Sequence, residues 1–323
     1  MLHNIFLFLV GLVMLYIGAE FLVRGASRLA IMMRIRPLII GVTVVAFGTS
    51  SPEFLVSIVA AWSGKIDVAV GNIVGSNIAN IGLILGLSAL IKSISMYDTK
   101  ITREYIWMIA SGLVFWVFAF NGFISRIEGA VLFMAIIIFA LHLVKLSLKE
   151  RKNHNTFDEI PSESDRLSKL SPAMRISIYS VKIIIGIAIL VKGSDITIES
   201  ATEIARVLGV SDVIIGLTLV AFGTSLPELA TAMVSILKKE KAILIGNIIG
   251  SNIFNILFVA GSLSTLFSLP IKERIIRIDL LVMMLISVIL IPMIYRSKKI
   301  SRLSGLFLCM FYIFYILYVY FNP

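Results

Sequence analysis

Ten apolar runs follow one another along this chain with little between them, near residues 4–23, 37–62, 68–91, 104–122, 126–146, 175–198, 212–237, 242–267, 275–295 and 302–321. A helix needs about 20 apolar residues to cross roughly 30 Å of hydrocarbon, so each run is long enough to span a bilayer. Long Leu/Ile/Val stretches without strict alternation suit helices, which satisfy their own backbone hydrogen bonds in lipid, and exclude an outer-membrane barrel. A 59% hydrophobic content and a mean hydropathy of +1.00 fit no ordinary soluble domain. The expected fold is an all-α membrane protein of ten transmembrane helices.

A net charge of +10 raises nucleic acid as a partner until the basic residues are sorted by loop. Loops after odd-numbered runs hold 21 of the 29 Lys and Arg, loops after even-numbered runs hold six, and Lys182 and Lys192 fall inside the sixth run. Under the positive-inside rule this puts the odd loops in the cytoplasm and both termini outside. The basic excess is then a matter of topology, and neither nucleic acid nor a protein partner is implied. The first run has no basic stretch before it and reads as a retained helix, not a cleaved signal. Cys309, the single cysteine, excludes an intramolecular disulfide and a cysteine-based zinc site, and reads as a lipid or packing contact. His3, His142 and His154 belong to no motif.

The chain repeats itself. GVTVVAFGTSSPEF at 41–54 returns as GLTLVAFGTSLPEL at 216–229, and GNIVGSNIANI at 71–81 returns as GNIIGSNIFNI at 246–256, both at an offset of 175. Gly11, Gly18 and Glu20 meet Gly186, Gly193 and Asp195 at the same offset. Five spans per copy is an odd number, so the second copy enters the membrane from the opposite side. The reading is two inverted five-helix repeats, 1–146 and 175–323, joined by a polar, cytoplasmic linker at 147–174 with no fold of its own. Glu20 and Asp195 read as groups in local ion pairing or a helix-end role, with a gating role as the alternative.

A charged side chain at mid-membrane costs about 2.5 to 3.5 kcal/mol on insertion scales, and its default reading is a functional site facing the bundle interior. Glu53 and Glu228 are such residues, and no Lys or Arg lies at matching depth in the motif segments. Thr49 and Thr224 stand one helical turn before them, and Ser76/Asn80 and Ser251/Asn255 repeat that spacing. Oxygen without sulfur or imidazole suits hard cations such as Ca²⁺, Mg²⁺ or Na⁺. Pro52 and Pro227 lack an N–H, so the carbonyls of Gly48 and Gly223 lose their helical partners and free backbone oxygen for a polar cavity. Gly71/Gly75 and Gly246/Gly250 read as close helix contacts.

GTSSPE at 48–53 with GTSLPE at 223–228, and the two GNxxGSN segments, resemble the sodium/calcium exchanger family of cation/calcium antiporters across nearly the whole chain. The resemblance implies a transporter of the prokaryotic type without a large regulatory loop, multi-pass in the cell membrane and not an enzyme. It exchanges Na⁺ for Ca²⁺ by alternating access, with no cofactor beyond the transported ions. The first and sixth helices would slide as a gate against a core of the second, third, seventh and eighth. Glu53 and Glu228 with the backbone oxygens of Thr49 and Thr224 would take calcium. The same glutamates with Ala46, Ser50, Ser76, Ala221, Thr224, Ser225, Ser251, Asn80 and Asn255 would take sodium. Asn255 departs from the pattern, since family members often carry aspartate there.

Three other readings compete. A Ca²⁺/H⁺ antiporter would also use two membrane carboxylates, although the neutral oxygens around them favour sodium. A passive cation channel would also expose carbonyls and acids, but gathers them around a symmetric pore. An intramembrane hydrolase built on the serine of GTS lacks a base, because no histidine lies in a motif.

Overall fold

The computed structural model describes residues 1–96, 101–153, 170–209, 223–295 and 297–321. Its helices are α1 (Leu2–Met33), α2 (Pro37–Thr49), α3 (Ser51–Trp62), α4 (Ile66–Ile91), α5 (Thr102–Ala119), α6 (Arg126–Asn153), α7 (Pro172–Val207), α8 (Leu226–Leu237), α9 (Lys241–Phe267), α10 (Ile275–Tyr295) and α11 (Arg302–Phe321). Among the described residues seven helices are long and apolar enough to cross a membrane, or eight when α2 and α3, bent by 42°, are taken as one span. The 18-residue α5, which opens on Thr102, Arg103 and Glu104, and the 12-residue α8 are not among the seven.

The outer helices run further than the apolar pattern suggests. α1 extends to Met33 and α7 from Pro172 to Val207, 32 and 36 residues in place of 4–23 and 175–198. Charge ends a hydrophobic run without ending a helix. α1 stops where Arg34 adopts a left-handed conformation (φ 55°) ahead of Pro37, and α7 stops just before Gly209 at φ 82°. The stretch read as a structureless linker is also shorter: 147–153 continue α6 and 172–174 open α7. Residues 154–169, with His154, lie outside the described residues.

α4 and α9 form the centre, 78% and 89% buried over their most apolar stretches, against 28% for α1 and 22% for α7. Gly246 and Gly250 let α9 lie against α2, where a Cβ on Gly246 would approach the Leu38 carbonyl oxygen to 2.6 Å. At Gly71 and Gly75 no described atom stands within 4 Å of such a Cβ.

α1 and α7 cross at glycines. A Cβ on Gly18 would meet the Gly186 carbonyl oxygen at 2.8 Å, and one on Gly193 would meet that of Gly11 at 3.1 Å. Moving forward from Gly11 to Gly18 therefore moves backward from Gly193 to Gly186, so the helices are antiparallel and the two copies run in opposite directions. Two short strand pairs agree with this. β1 (Ile94–Ser95) pairs with β4 (Lys299–Ile300), both on odd loops, and β2 (Phe123–Ile124) pairs with β3 (Leu269–Pro270), both on even loops.

Candidate cation site

The repeated proline breaks its helix in the same way twice. Ser50 (φ −86°, ψ 7°) and Ser225 (φ −88°, ψ 7°) sit in the bridge region, just ahead of Pro52 and Pro227 at the start of α3 and α8. The π-helical turns Asn80–Leu85 and Asn255–Ala260 begin on the two central asparagines, again in register. The serine break and the widened turn thus recur in the same register in both copies.

Hydrogen bonds cross between the copies. Ser50 Oγ donates to Glu228 Oε1 at 2.8 Å, and Ser225 Oγ donates to Glu53 Oε1 at 3.3 Å. Thr49 Oγ1 donates to Asn247 Oδ1 at 3.0 Å, and Thr224 Oγ1 donates to Asn72 Oδ1 at 3.3 Å. Asn80 Nδ2 donates to Asn252 Oδ1 at 2.9 Å. Each glutamate is held by the serine of the opposite repeat, so the two carboxylates face one space.

Of the twelve anticipated residues, eleven are buried, none more than 5% exposed: Ala46, Thr49, Ser50, Glu53, Ser76, Asn80, Thr224, Ser225, Glu228, Ser251 and Asn255. Ala221 lies outside the described residues. Glu53 Oε2, Glu228 Oε2, Asn80 Oδ1, Ser251 Oγ and both polar atoms of Asn255 are buried with no hydrogen-bond partner among the described residues. Buried polar atoms are normally paired, and unpaired oxygens converging with two carboxylates mark a place for a cation. No basic side chain pairs with Glu53 or Glu228 among the described residues.

Two details differ from the sequence reading. The Gly223 carbonyl freed by Pro227 does not stay open, because Ser194 Oγ of α7 donates to it at 3.0 Å. Its counterpart across the repeat is Ala19, which has no hydroxyl. Asn72 and Asn247 join the site although the motif spacing alone does not single them out. Asn72 Nδ2 also donates to the Glu53 carbonyl at 3.2 Å and to Ser57 Oγ at 2.9 Å, so it holds the kink as well as Thr224. A signal for them is present, since both asparagines follow the first glycine of GNxxGSN.

Outside the site, Cys309 is buried where a Cβ on Gly86 would strike its sulfur, which is packing and not lipid contact. Glu20 pairs locally with Arg24 at 2.5 Å and also with Lys238 at 2.8 Å, but it stands inside α1 and not at its end.

The family described as sodium/calcium exchanger protein matches residues 3–145 and again 179–321, once over each repeat. The putative antiporter CaxA of Alkalimonas amylolytica is 39% identical over 94% of this chain and 95% of its own. The sodium/calcium exchanger MaX1 of Methanosarcina acetivorans is 32% identical over 96% of each. A solved structure of the sodium-calcium exchanger NCX_Mj, soaked with Na⁺ and Sr²⁺, superposes with a TM-score of 0.82 at 32% identity over 97% of both chains. With its duplicated helices and shared carboxylate pocket, the chain belongs to the sodium/calcium exchanger family, a multi-pass membrane antiporter and not an enzyme.

Proposed function

We propose that this antiporter couples Na⁺ movement to Ca²⁺ movement in the opposite direction through one shared site. The observation that carries the reading is the exchange of serine hydroxyls between repeats, which leaves one oxygen on each of Glu53 and Glu228 unpartnered. Two carboxylates match one Ca²⁺ in formal charge. Calcium takes about six to eight oxygens, so the backbone oxygens of Thr49 and Thr224 complete a set that the side chains begin. Sodium uses the same glutamates, with Ala46, Ser50, Ser76 and Asn80 from one repeat and Ala221, Thr224, Ser225, Ser251 and Asn255 from the other.

Filled, the pocket is close to neutral. Empty, it carries two unpaired charges out of water, a costly arrangement to move through a closed interior. Reorientation is therefore restricted to loaded protein, which is what exchange without leak requires. The neutral oxygens around the glutamates favour sodium over protons as the coupling ion, and the names of MaX1 and NCX_Mj support the same choice. The repeats 1–146 and 175–323 act as the two halves of this machine, with odd loops, including the 147–174 connection, in the cytoplasm and both termini outside. No resident cofactor is needed.

Purified protein in calcium-loaded liposomes tests this. A sodium gradient should drive calcium flux and a proton gradient alone should not. Flux driven equally by protons would replace this reading with a Ca²⁺/H⁺ antiporter. Calcium movement down its own gradient without any counter-ion would replace it with a channel.

A further inference from the structure

The two copies of the site sit in unequal surroundings. On the odd-loop side, Leu226, Ala230 and Val234 of α8 pack in one cluster with Leu15, Ala19, Leu22 and Val23 of α1. Their counterparts on α3 include Leu55 and Val59, which are 55% and 63% exposed and line a groove of about 410 Å³ with Val56, Ala60, Ser63 and Lys65. The covered side is also fastened. Lys238 Nζ lies 2.8 Å from Glu20 Oε1, and Ser27 Oγ donates to Glu240 Oε1 at 2.7 Å. Shifted by the repeat offset these pairs become Ser63 with Asp195, and Thr202 with Lys65. Among the described residues no hydrogen bond or ion pair joins either.

The buried wall of α8 is unusual in a second respect. Thr231 and Ser235 follow Glu228 at helical spacings of three and seven, on the face between the α1 contact and the main core. Both are fully buried, and both hydroxyls lack a partner among the described residues. The matching positions on α3 are Val56 and Ala60, which have no hydroxyl. Leaving two hydroxyls unpaired in a closed interface is costly, and the cost disappears if that face is wetted in another state.

We propose that Glu20–Lys238 and Ser27–Glu240 form a one-sided latch. It holds α1 over a cation path that runs along α8 from Glu228 past Thr231 and Ser235 to the odd-loop side. The structure is the state closed on that side and open along α3. Ser63 and Thr202 carry no charge, so the mirrored positions cannot form an ion pair in the opposite closed state, and the empty or sodium-poor protein rests with the odd-loop side shut. The inference depends on the alternating-access reading given above.

Thiol labelling in a C309A background tests it. S235C and V59C are placed singly, Val59 being 63% exposed in the groove along α3, and vesicles of known sidedness receive a charged, membrane-impermeant thiol reagent. The expected result is rapid labelling of V59C and little of S235C. Adding K238Q should raise S235C labelling about fivefold, the scale of a partly exposed ion pair, and slow that of V59C. S27A/E240Q should act in the same direction, D195N should change neither rate, and thermal melting in detergent confirms that each variant is folded. Rapid S235C labelling with the latch intact, or folded K238Q and S27A/E240Q proteins with unchanged rates, would overturn the proposal. Labelling reports helix positions whichever ion is coupled. Unchanged rates with intact sodium-driven flux sink the latch alone, while lost sodium coupling with shifted rates sinks only the functional reading.

Discussion

The repeats meet in two places, and they are joined by opposite means. In the core, α2, α3 and α4 are tied to α8, α9 and the residues just before α8 by side-chain hydrogen bonds that run from each copy to the other, through Ser50, Ser225, Thr49 and Thr224. At the periphery, α1 and α7 touch backbone to backbone at Gly11, Gly18, Gly186 and Gly193. Directional bonds hold one geometry and resist shear. The glycine seam brings two backbones together, with Leu15, Leu22, Tyr179, Ile183 and Leu190 packed around it. The candidate pocket is pinned by directional bonds, whereas the two outer helices are joined to each other by close packing.

Removing a charge from the pinned region should have the largest effect. Uncompensated change in a buried charge set costs about 3 to 5 kcal/mol, so Glu53→Gln or Glu228→Gln should cut sodium-driven calcium flux by at least about 100-fold while the protein still folds. Near-normal flux in liposomes would show that the carboxylates do not carry the ion.

Roughening the seam comes next. A leucine at position 18 would have to occupy space taken by the Gly186 carbonyl oxygen and the Leu190 backbone nitrogen, each 2.8 Å from where its Cβ would stand. Overpacking of this kind costs about 1 to 3 kcal/mol, so Gly18→Leu should lower Tm and slow transport while equilibrium calcium binding stays within about twofold. A loss of binding equal to the loss of transport would mean that the seam is part of the site and not of the gate.

The asparagines that orient the threonines give a smaller effect. A lost hydrogen bond is worth about 0.5 to 1.5 kcal/mol, so Asn247→Leu should weaken calcium binding about three- to tenfold by isothermal titration. Asn72→Leu should cost more than Asn247→Leu, because Asn72 also holds the Glu53 carbonyl and Ser57. The reverse order would deny Asn72 its second task. Smallest is Asn255→Asp, which adds a third carboxylate at a position already buried and unpartnered. Sodium binding should then weaken as pH falls, because protons compete for the added group. A pH profile identical to that of the parent protein would place residue 255 outside the sodium sites.

Much of this was legible in the residues, for a physical reason. A glutamate four residues after a threonine and one after a proline, deep in an apolar run, has few structural uses, and finding it twice in inverted copies leaves fewer. Glu53 and Glu228 could therefore be assigned without coordinates. The partners of Ser50 and Ser225 could not, because a hydroxyl in a helix bonds equally well to its own backbone, as Ser51 does to Phe47. Asn72 was hidden by its neighbours, since an asparagine between glycine and isoleucine reads as part of a packing motif. The true lengths of α1 and α7 were hidden by hydropathy itself, which registers departure from lipid and is blind to a helix that continues into water.

The exchanged bonds have one more implication. A contact from i to j accompanied by its mirror from j to i is the signature of a two-fold interface between identical subunits. Here the axis lies between two stretches of one polypeptide that point in opposite directions. Neither half contains a complete pocket, because each glutamate is held by a serine from the other. The geometry is that of an antiparallel homodimer whose subunits have been joined end to end. Seen in this way, the bias of basic residues toward the odd loops has a historical function: once the halves are covalently linked, their orientations must be fixed as opposites, and a five-span unit that inserted either way round would no longer be tolerated.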